Sequence, residues 1–149
     1  MSPDLQQALL REQNECTLCW TRRDGAPAAT IVSYVYSEDC LWMTALAGSK
    51  RVAAIQARPD VAVVISGKGC SVGHSRCISL QGRCDVIEDS ELRDWFFPAF
   101  SNAVLRNSER GAAMMAQSMD SPENLVLRFL PERSFPYDSQ AMFEQADSL

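Results

Sequence analysis

Residues 42–59 read WMTALAGSKRVAAIQARP. The stretch opens as a strand, breaks at Ala47-Gly48-Ser49, and resumes at Lys50 and Arg51 as a short amphipathic helix. Arg58-Pro59-Asp60 stops that helix. Ser49 is placed to cap it by accepting a hydrogen bond from an orphan backbone N–H. The helix start carries partial positive charge, so its free amides with Lys50 and Arg51 make a ready anion site. The whole chain bears a net charge of −5, and a cationic corner on such a chain points to a phosphate ligand. The alternative is a solvated first turn.

Upstream, Cys16, Leu18 and Trp20 alternate with Thr17, Cys19 and Thr21, which is strand periodicity over residues 16–22. Arg23-Asp24-Gly25 forms a tight hairpin turn into a second strand at 28–36. Ser37-Glu38-Asp39 turns the chain into a third strand at 41–46, so the three read as an antiparallel meander. Ser2-Pro3 opens an N-terminal helix within residues 1–14, with Leu5, Ala8 and Leu9 as its inward stripe.

Downstream, residues 61–65 (VAVVI) form a compact apolar strand expected to be covered on both faces. Residues 66–76 (SGKGCSVGHSR) carry three glycines and read as a mobile loop. At 78–86, Ile78, Leu80, Gly82, Cys84 and Val86 alternate cleanly with polar residues. Asp89 or Ser90 caps a helical region holding Trp95, Phe96, Phe97 and Phe100, which Pro98 is expected to kink or split. An Ala/Met-rich helix follows at 108–119, then a last strand at 124–130. Residues 132–149 read as a loose tail or a partner-docking segment. Six strands with helices between and around them give an α+β class with a small barrel, in one domain over 1–149.

A chain of 149 residues can bury a real core. Apolar content of 46% and charged content of 22% are those of an ordinary globular protein. No apolar run approaches the roughly 20 residues that span a bilayer. The N-terminus is polar and helical, which sets the expectation of a cytoplasmic protein with no membrane partner. The acidic balance argues against nucleic acid, which needs a basic face. Six cysteines stand at 16, 19, 40, 70, 77 and 84, beside a single histidine, His74. On a strand, Cys16 and Cys19 point to opposite faces and cannot readily share an ion. Reduced structural thiols are therefore expected, with no metal: Cys16 and Cys84 core-facing, Cys70 and Cys77 more exposed.

The hairpin RRDGAPAATIVSYVY, the stretch LWMTALAGSKRVAAIQARPDVAVVI and the strand CISLQGRCDVIED together resemble the pyridoxamine-phosphate-oxidase-like family of flavin-binding split β-barrels. The resemblance implies a six-stranded antiparallel split β-barrel with flanking helices, assembled as a homodimer with FMN at the subunit interface. It implies that Ala29, Thr30, Ile31, Val32, Ser33 and Tyr34 lie along the flavin, and that Thr44 and Ala45 flank the ribityl chain. Ser49, Lys50 and Arg51 would hold the phosphate. A polar residue that often reaches the other subunit's cofactor is here Cys77, so Arg76 or Gln81 takes that part. The chain lacks the family oxidase's C-terminal substrate clamp, so pyridoxamine phosphate oxidation is not expected. The resemblance points instead to short members that act on small molecules through bound FMN, with NAD(P)H or an external reductase as donor. Alternatives are the deazaflavin F420 as cofactor, or a non-catalytic protein that stores or senses flavin or haem.

Other residues have two readings each. Trp20, Trp42 and Tyr34 border a flavin ring or fill core and interface. His74 donates a proton near substrate or stands idle in solvent. The aromatics of 95–100 with Met114, Met115 and Met119 roof a pocket or pack helices on the barrel. Arg83 is a surface ion-pair member.

Overall fold

The computed structural model describes residues 1–147. Helix α1 (Pro3–Glu12) is capped by Ser2 and lays Leu9 and Leu10 into the core. Strands β1 (Glu15–Thr21) and β2 (Pro27–Ser33) form the Asp-Gly hairpin, pairing antiparallel from Glu15↔Ser33 to Thr21↔Pro27. After β3 (Val35–Ser37), Glu38 and Asp39 both take positive φ, the geometry of a two-residue hairpin, and lead into β4 (Cys40–Leu46). Helix α2 (Lys50–Ala57), β5 (Asp60–Ser66) and β6 (Arg76–Ile87) follow. Helices α3 (Ser90–Val104) and α4 (Glu109–Met119) then precede β7 (Asn124–Asp138) and α5 (Ser139–Ala146).

Seven strands make one sheet in the order β2-β1-β5-β6-β7-β4-β3. The count exceeds the expected six because the second predicted strand divides at Tyr34. Its first part pairs with β1 at one edge of the sheet, and its last part pairs with β4 at the other. The two edges are thus separated by a single residue along the chain. Consecutive Cα atoms are only about 3.8 Å apart, so the sheet must curl until the end of one edge strand reaches the start of the other. The meander becomes a closed corner of a barrel. Tyr34 pins that corner: it is 1% exposed, its N–H donates to Asn14 O at 2.9 Å, and its hydroxyl donates to Leu10 O at 3.0 Å.

The barrel core holds Leu18, Leu41, Met43, Val63, Ile65, Ile78, Leu80, Leu127 and Phe129. A second cluster lies outside the barrel, where Leu92, Phe96, Phe97 and Phe100 of α3 cover Cys40, Trp42 and Val126. Trp42 and Tyr34 are therefore core residues, and the aromatics of 96–100 pack a helix on the sheet. Helix α3 continues through Pro98 and is not split. Pro98 and Asp94 are both exposed, so water can serve the carbonyl of Asp94 that lacks its usual donor.

Three further expectations change. The outer face of β5 is only half-buried at Ala62 and Val64, so that strand is not covered on both sides. The 66–76 loop is tied to α1: Gln13 Nε2 donates to Ser66 O at 2.7 Å, the Ser71 hydroxyl and N–H donate to Glu12, and Val72 is buried. Residues 132–138 are not loose tail but the second half of β7, paired with β6 as far as Arg76↔Asp138. Helix α5 takes up 139–146, and the last two residues lie outside the described part. The β6–β7 ladder shifts register between Gln81 and Gly82. A Cβ at Gly82 would stand 2.1 Å from Leu130 O, so the bulge requires glycine there.

All six thiols are free. Cys16 and Cys84 are in the core as expected, Cys40 is buried as well, and Cys70 and Cys77 are half-buried. Burial pushes the Cys16 and Cys84 thiols up to about 12.

Two outcomes are expected. Gly82→Ala should cost on the order of 3 kcal/mol in urea unfolding, because backbone must move to admit the methyl group. An unchanged midpoint would show that β7 can slide without penalty. Unfolded thiols ionise near pH 9, whereas Cys16 and Cys84 hold their protons to about 12. The native state binds more protons in that window, so stability falls as pH rises from about 9 to 12. Cys84→Ala should flatten this alkaline limb in pH-dependent melts.

Candidate functional site

Ser49 caps α2 as its position predicts, its hydroxyl accepting from Val52 N at 3.3 Å. The first turn of α2 holds no acidic side chain, so nothing on the helix itself offsets Lys50 and Arg51. Val52 and Ile55 anchor the helix in the core, which turns Lys50, Arg51, Ala53, Ala54, Ala57 and Arg58 toward the β1–β2 hairpin. Between them runs an open cleft of about 1080 Å³, whose other wall is Trp20, Arg22, Arg23, Asp24 and Ala28.

Among the described residues, five cations line this cleft against one carboxylate. Arg22 is ion-paired with Asp24. Arg58 donates its Nε to Thr21 O at 3.0 Å, fastening the end of α2 to the end of β1. Lys50 and Arg23 have no side-chain partner among the described residues. The Arg51 guanidinium stands over the Trp20 ring at 6.0 Å, and its Nε is buried without a hydrogen-bond partner. Desolvation lowers the Arg51 pKa from its ordinary value. An unpartnered buried donor is costly unless something absent from the free chain satisfies it. An anion seated at the start of α2 would do so, and Lys50 lines the same cleft.

Trp20 also borders a smaller cavity of about 420 Å³ lined by Cys19, Thr21, Asp60, Ala62, Gln81 and Arg133, among others. The sheet register explains this neighbourhood. Ala29, Cys19, Ala62, Gln81 and Arg133 form one row across five strands, and Ile31, Thr17, Val64, Ser79 and Phe135 form the next. The intervening Leu18, Val63 and Leu80 are buried, so both rows face outward from the barrel. Ile31 and Phe135, at the ends of an uncharged row, are 68% and 51% exposed.

The candidate residues thus fall into separate places. Lys50 and Arg51 line the cleft, and Ser49 shapes its helix end. Ala29, Ile31 and Ser33 lie on the outer side of edge strand β2, in the face that also carries Cys77 and Gln81. Thr30 and Val32 alternate toward the barrel interior, with Val32 against the core. Tyr34 is the buried corner pin. Ala45 is buried, and the Thr44 hydroxyl donates to Leu125 O at 2.9 Å. Arg76 is held by Asp138 at 3.0 Å and by Val72 O at 2.8 Å. Neither it nor Cys77 lines either cavity within one chain. His74 is exposed in the 66–76 loop, outside both cavities. Sequence reasoning missed Arg22, Arg23, Ala28 and Arg58 as cleft residues. Their signal was the density of arginine around one hairpin and one short helix in an acidic chain.

The sequence profile of the pyridoxamine 5'-phosphate oxidase family matches residues 2–137. No curated protein matches. Among solved structures, a conserved hypothetical protein of Mycobacterium tuberculosis shares the fold with a TM-score of 0.80 at 16% identity, covering 96% of this chain and 88% of that one. A FAD-binding protein of Mesorhizobium loti has a TM-score of 0.65 at 18% identity, covering 91% and 94%. HutZ, the haem-storage protein of Vibrio cholerae, has a TM-score of 0.66 at 12% identity, also covering 91% and 94%. At these identities the likeness is one of fold.

The cost of the Arg51 donor can be measured without any ligand. Arg51→Met keeps a long side chain over Trp20 and removes the unpartnered Nε. Its melting temperature in phosphate-free buffer should equal or exceed that of the unaltered protein. A loss of more than about 1 kcal/mol would make Arg51 a structural residue instead.

Proposed function

The chain belongs to the pyridoxamine 5'-phosphate oxidase family, and on that premise we propose that it is an FMN-binding oxidoreductase acting on a small molecule. The observation that carries this reading is the buried, unpartnered Arg51 Nε in a cleft lined by four further cations. A phosphate monoester satisfies that donor, and Lys50 and the α2 amides share its charge. The flavin supplies hydride or electron chemistry when bound, with NAD(P)H or an external reductase as donor. The chain's residues bind and orient: Arg51 and Lys50 hold the phosphate, and the open side of edge strand β2 offers backbone groups from 29–33 to the ring edge. Trp20, between the two cavities, limits how deep the ring can lie.

Homodimerisation completes the site in this reading. The uncharged outward row from Ile31 to Phe135 suits burial against a second copy, which would bring that copy's Gln81, Cys77 or Arg76 toward the ring. The haem alternative has weaker support, since the chain's single histidine stands outside both cavities. F420 also presents a phosphate and would use the same cationic corner. No helix among the described residues is long and apolar enough to cross a membrane.

The visible spectrum of freshly purified protein, with mass analysis of the ligand released by heat, tests the assignment. Colourless protein that takes up no FMN on titration would overturn it. Replacing Lys50 and Arg51 together with Ala should weaken FMN binding by one to two decades for each charge-assisted bond lost, at about 1.5–3 kcal/mol apiece. The far-ultraviolet circular dichroism of the variant should be unchanged, because neither side chain packs in the barrel core.

A further inference from the structure

A mononucleotide uses only one end of this cleft. Its single phosphate is satisfied by Lys50, Arg51 and the first turn of α2. The cleft continues along α2 past Ala53, Ala54 and Ala57 to Arg58, eight residues beyond Lys50 and so about 12 Å farther along the axis. Ala53 and Ala57 are four residues apart and both exposed, so they form a smooth apolar shelf on one helix face. At the far end of that shelf stand Arg58, Arg22 and Arg23. Arg22 is matched by Asp24, but Arg23 has no partner among the described residues, and Arg58 engages Thr21 O through Nε alone. The volume of about 1080 Å³ lies just above the range for small-molecule sites, roughly 300–1,000 Å³.

We infer that the cleft is built for a flavin dinucleotide, with the second phosphate and the adenosine lying over the alanine shelf toward Arg23 and Arg58. This rests on the flavin reading above and extends it to a ligand with an anionic, planar-ended tail. Solvated arginines on a helix need no smooth shelf between two cationic ends. A pyrophosphate followed by a flat base uses both features. The second phosphate gains the long arms of Arg23 and Arg58, and the base gains apolar contact with Ala53 and Ala57.

The test is a titration of flavin-stripped protein with riboflavin, FMN and FAD, followed by quenching of flavin fluorescence. FAD should bind at least about tenfold tighter than FMN, the gain from one further charge-assisted contact. Arg23→Ala should bring FAD toward the level of FMN while leaving FMN, whose phosphate sits at the other end of the cleft, within about twofold. Arg23→Glu, at an exposed turn position, should narrow the gap without touching the α2–β1 link. FMN binding as tightly as FAD, or a gap that survives both variants, overturns the dinucleotide inference and leaves the mononucleotide reading standing. Failure of every flavin to bind overturns both.

Discussion

One stretch of chain, residues 27–37, has to serve both edges of the same sheet. This is achieved at Tyr34, where the strand stops pairing with β1 and starts pairing with β4. The corner is buried, and an unpaired polar group there would be expensive, so the Tyr34 N–H and hydroxyl are both spent on the end of α1 and its exit. Everything that forms the site follows from this closure. It holds the β1–β2 hairpin at the open rim of the barrel, with Trp20 and the arginine-bearing turn facing α2. It also leaves β2 with one unpaired side.

The cleft is an electrostatic exception on an acidic protein. With a net charge of −5, the far field of the molecule repels anions. Screening at physiological salt confines that repulsion to about 8 Å. Inside the cleft the near field of five cations dominates. Two of them are tied to protein acceptors, Arg22 to Asp24 and Arg58 to Thr21 O. Only Arg22 is offset by a carboxylate, so the uncompensated positive charge rests on Lys50, Arg51, Arg23 and Arg58. Held half-buried over Trp20, the Arg51 group pays its desolvation before any ligand arrives, which is the physical meaning of preorganisation.

Local rules were legible in the sequence, and contacts across the fold were not. The Ser49 cap, the Asp-Gly hairpin and the inward positions of Cys16 and Cys84 each depend on residues within a few places of one another. The corner at Tyr34 was hidden because the alternation of Thr30, Val32 and Tyr34 with Ile31, Ser33 and Val35 runs straight through it. The second half of β7 was hidden for the opposite reason. Leu130-Pro131 and Phe135-Pro136-Tyr137 interrupt any strand pattern, and proline is tolerated there because β4 pairs only with the first half of β7 and leaves the other side open. For the site, Lys50 and Arg51 could be found because a helix start announces itself. Arg22, Arg23 and Arg58 left only their local density as a signal, since only the packing of α2 on β1 brings them to the same cleft.

The open side of β2 and the uncharged outer row from Ile31 to Phe135 bear on each other. An edge strand with an exposed Ile31 is a liability in an isolated molecule, because its free backbone groups invite pairing and its side chain invites association. Natural sheets usually protect such an edge with lysine, proline or a bulge. Here the strand starts with Pro27 but then reads Ala-Ala-Thr-Ile-Val-Ser, with no charge at all. The same absence of charge extends in register through Thr17, Val64 and Ser79 to Phe135. A sequence that spends arginines freely on the adjoining turn and helix has placed none along this row. Such segregation is what a covered surface requires: positive charge gathered in the cleft, where an anion would meet it, and apolar or hydroxyl side chains along the row that a flat partner would cover. In the proposed dimer the ligand's ring and the second subunit would share that covering, so occupancy of the cleft and association of subunits would be energetically linked.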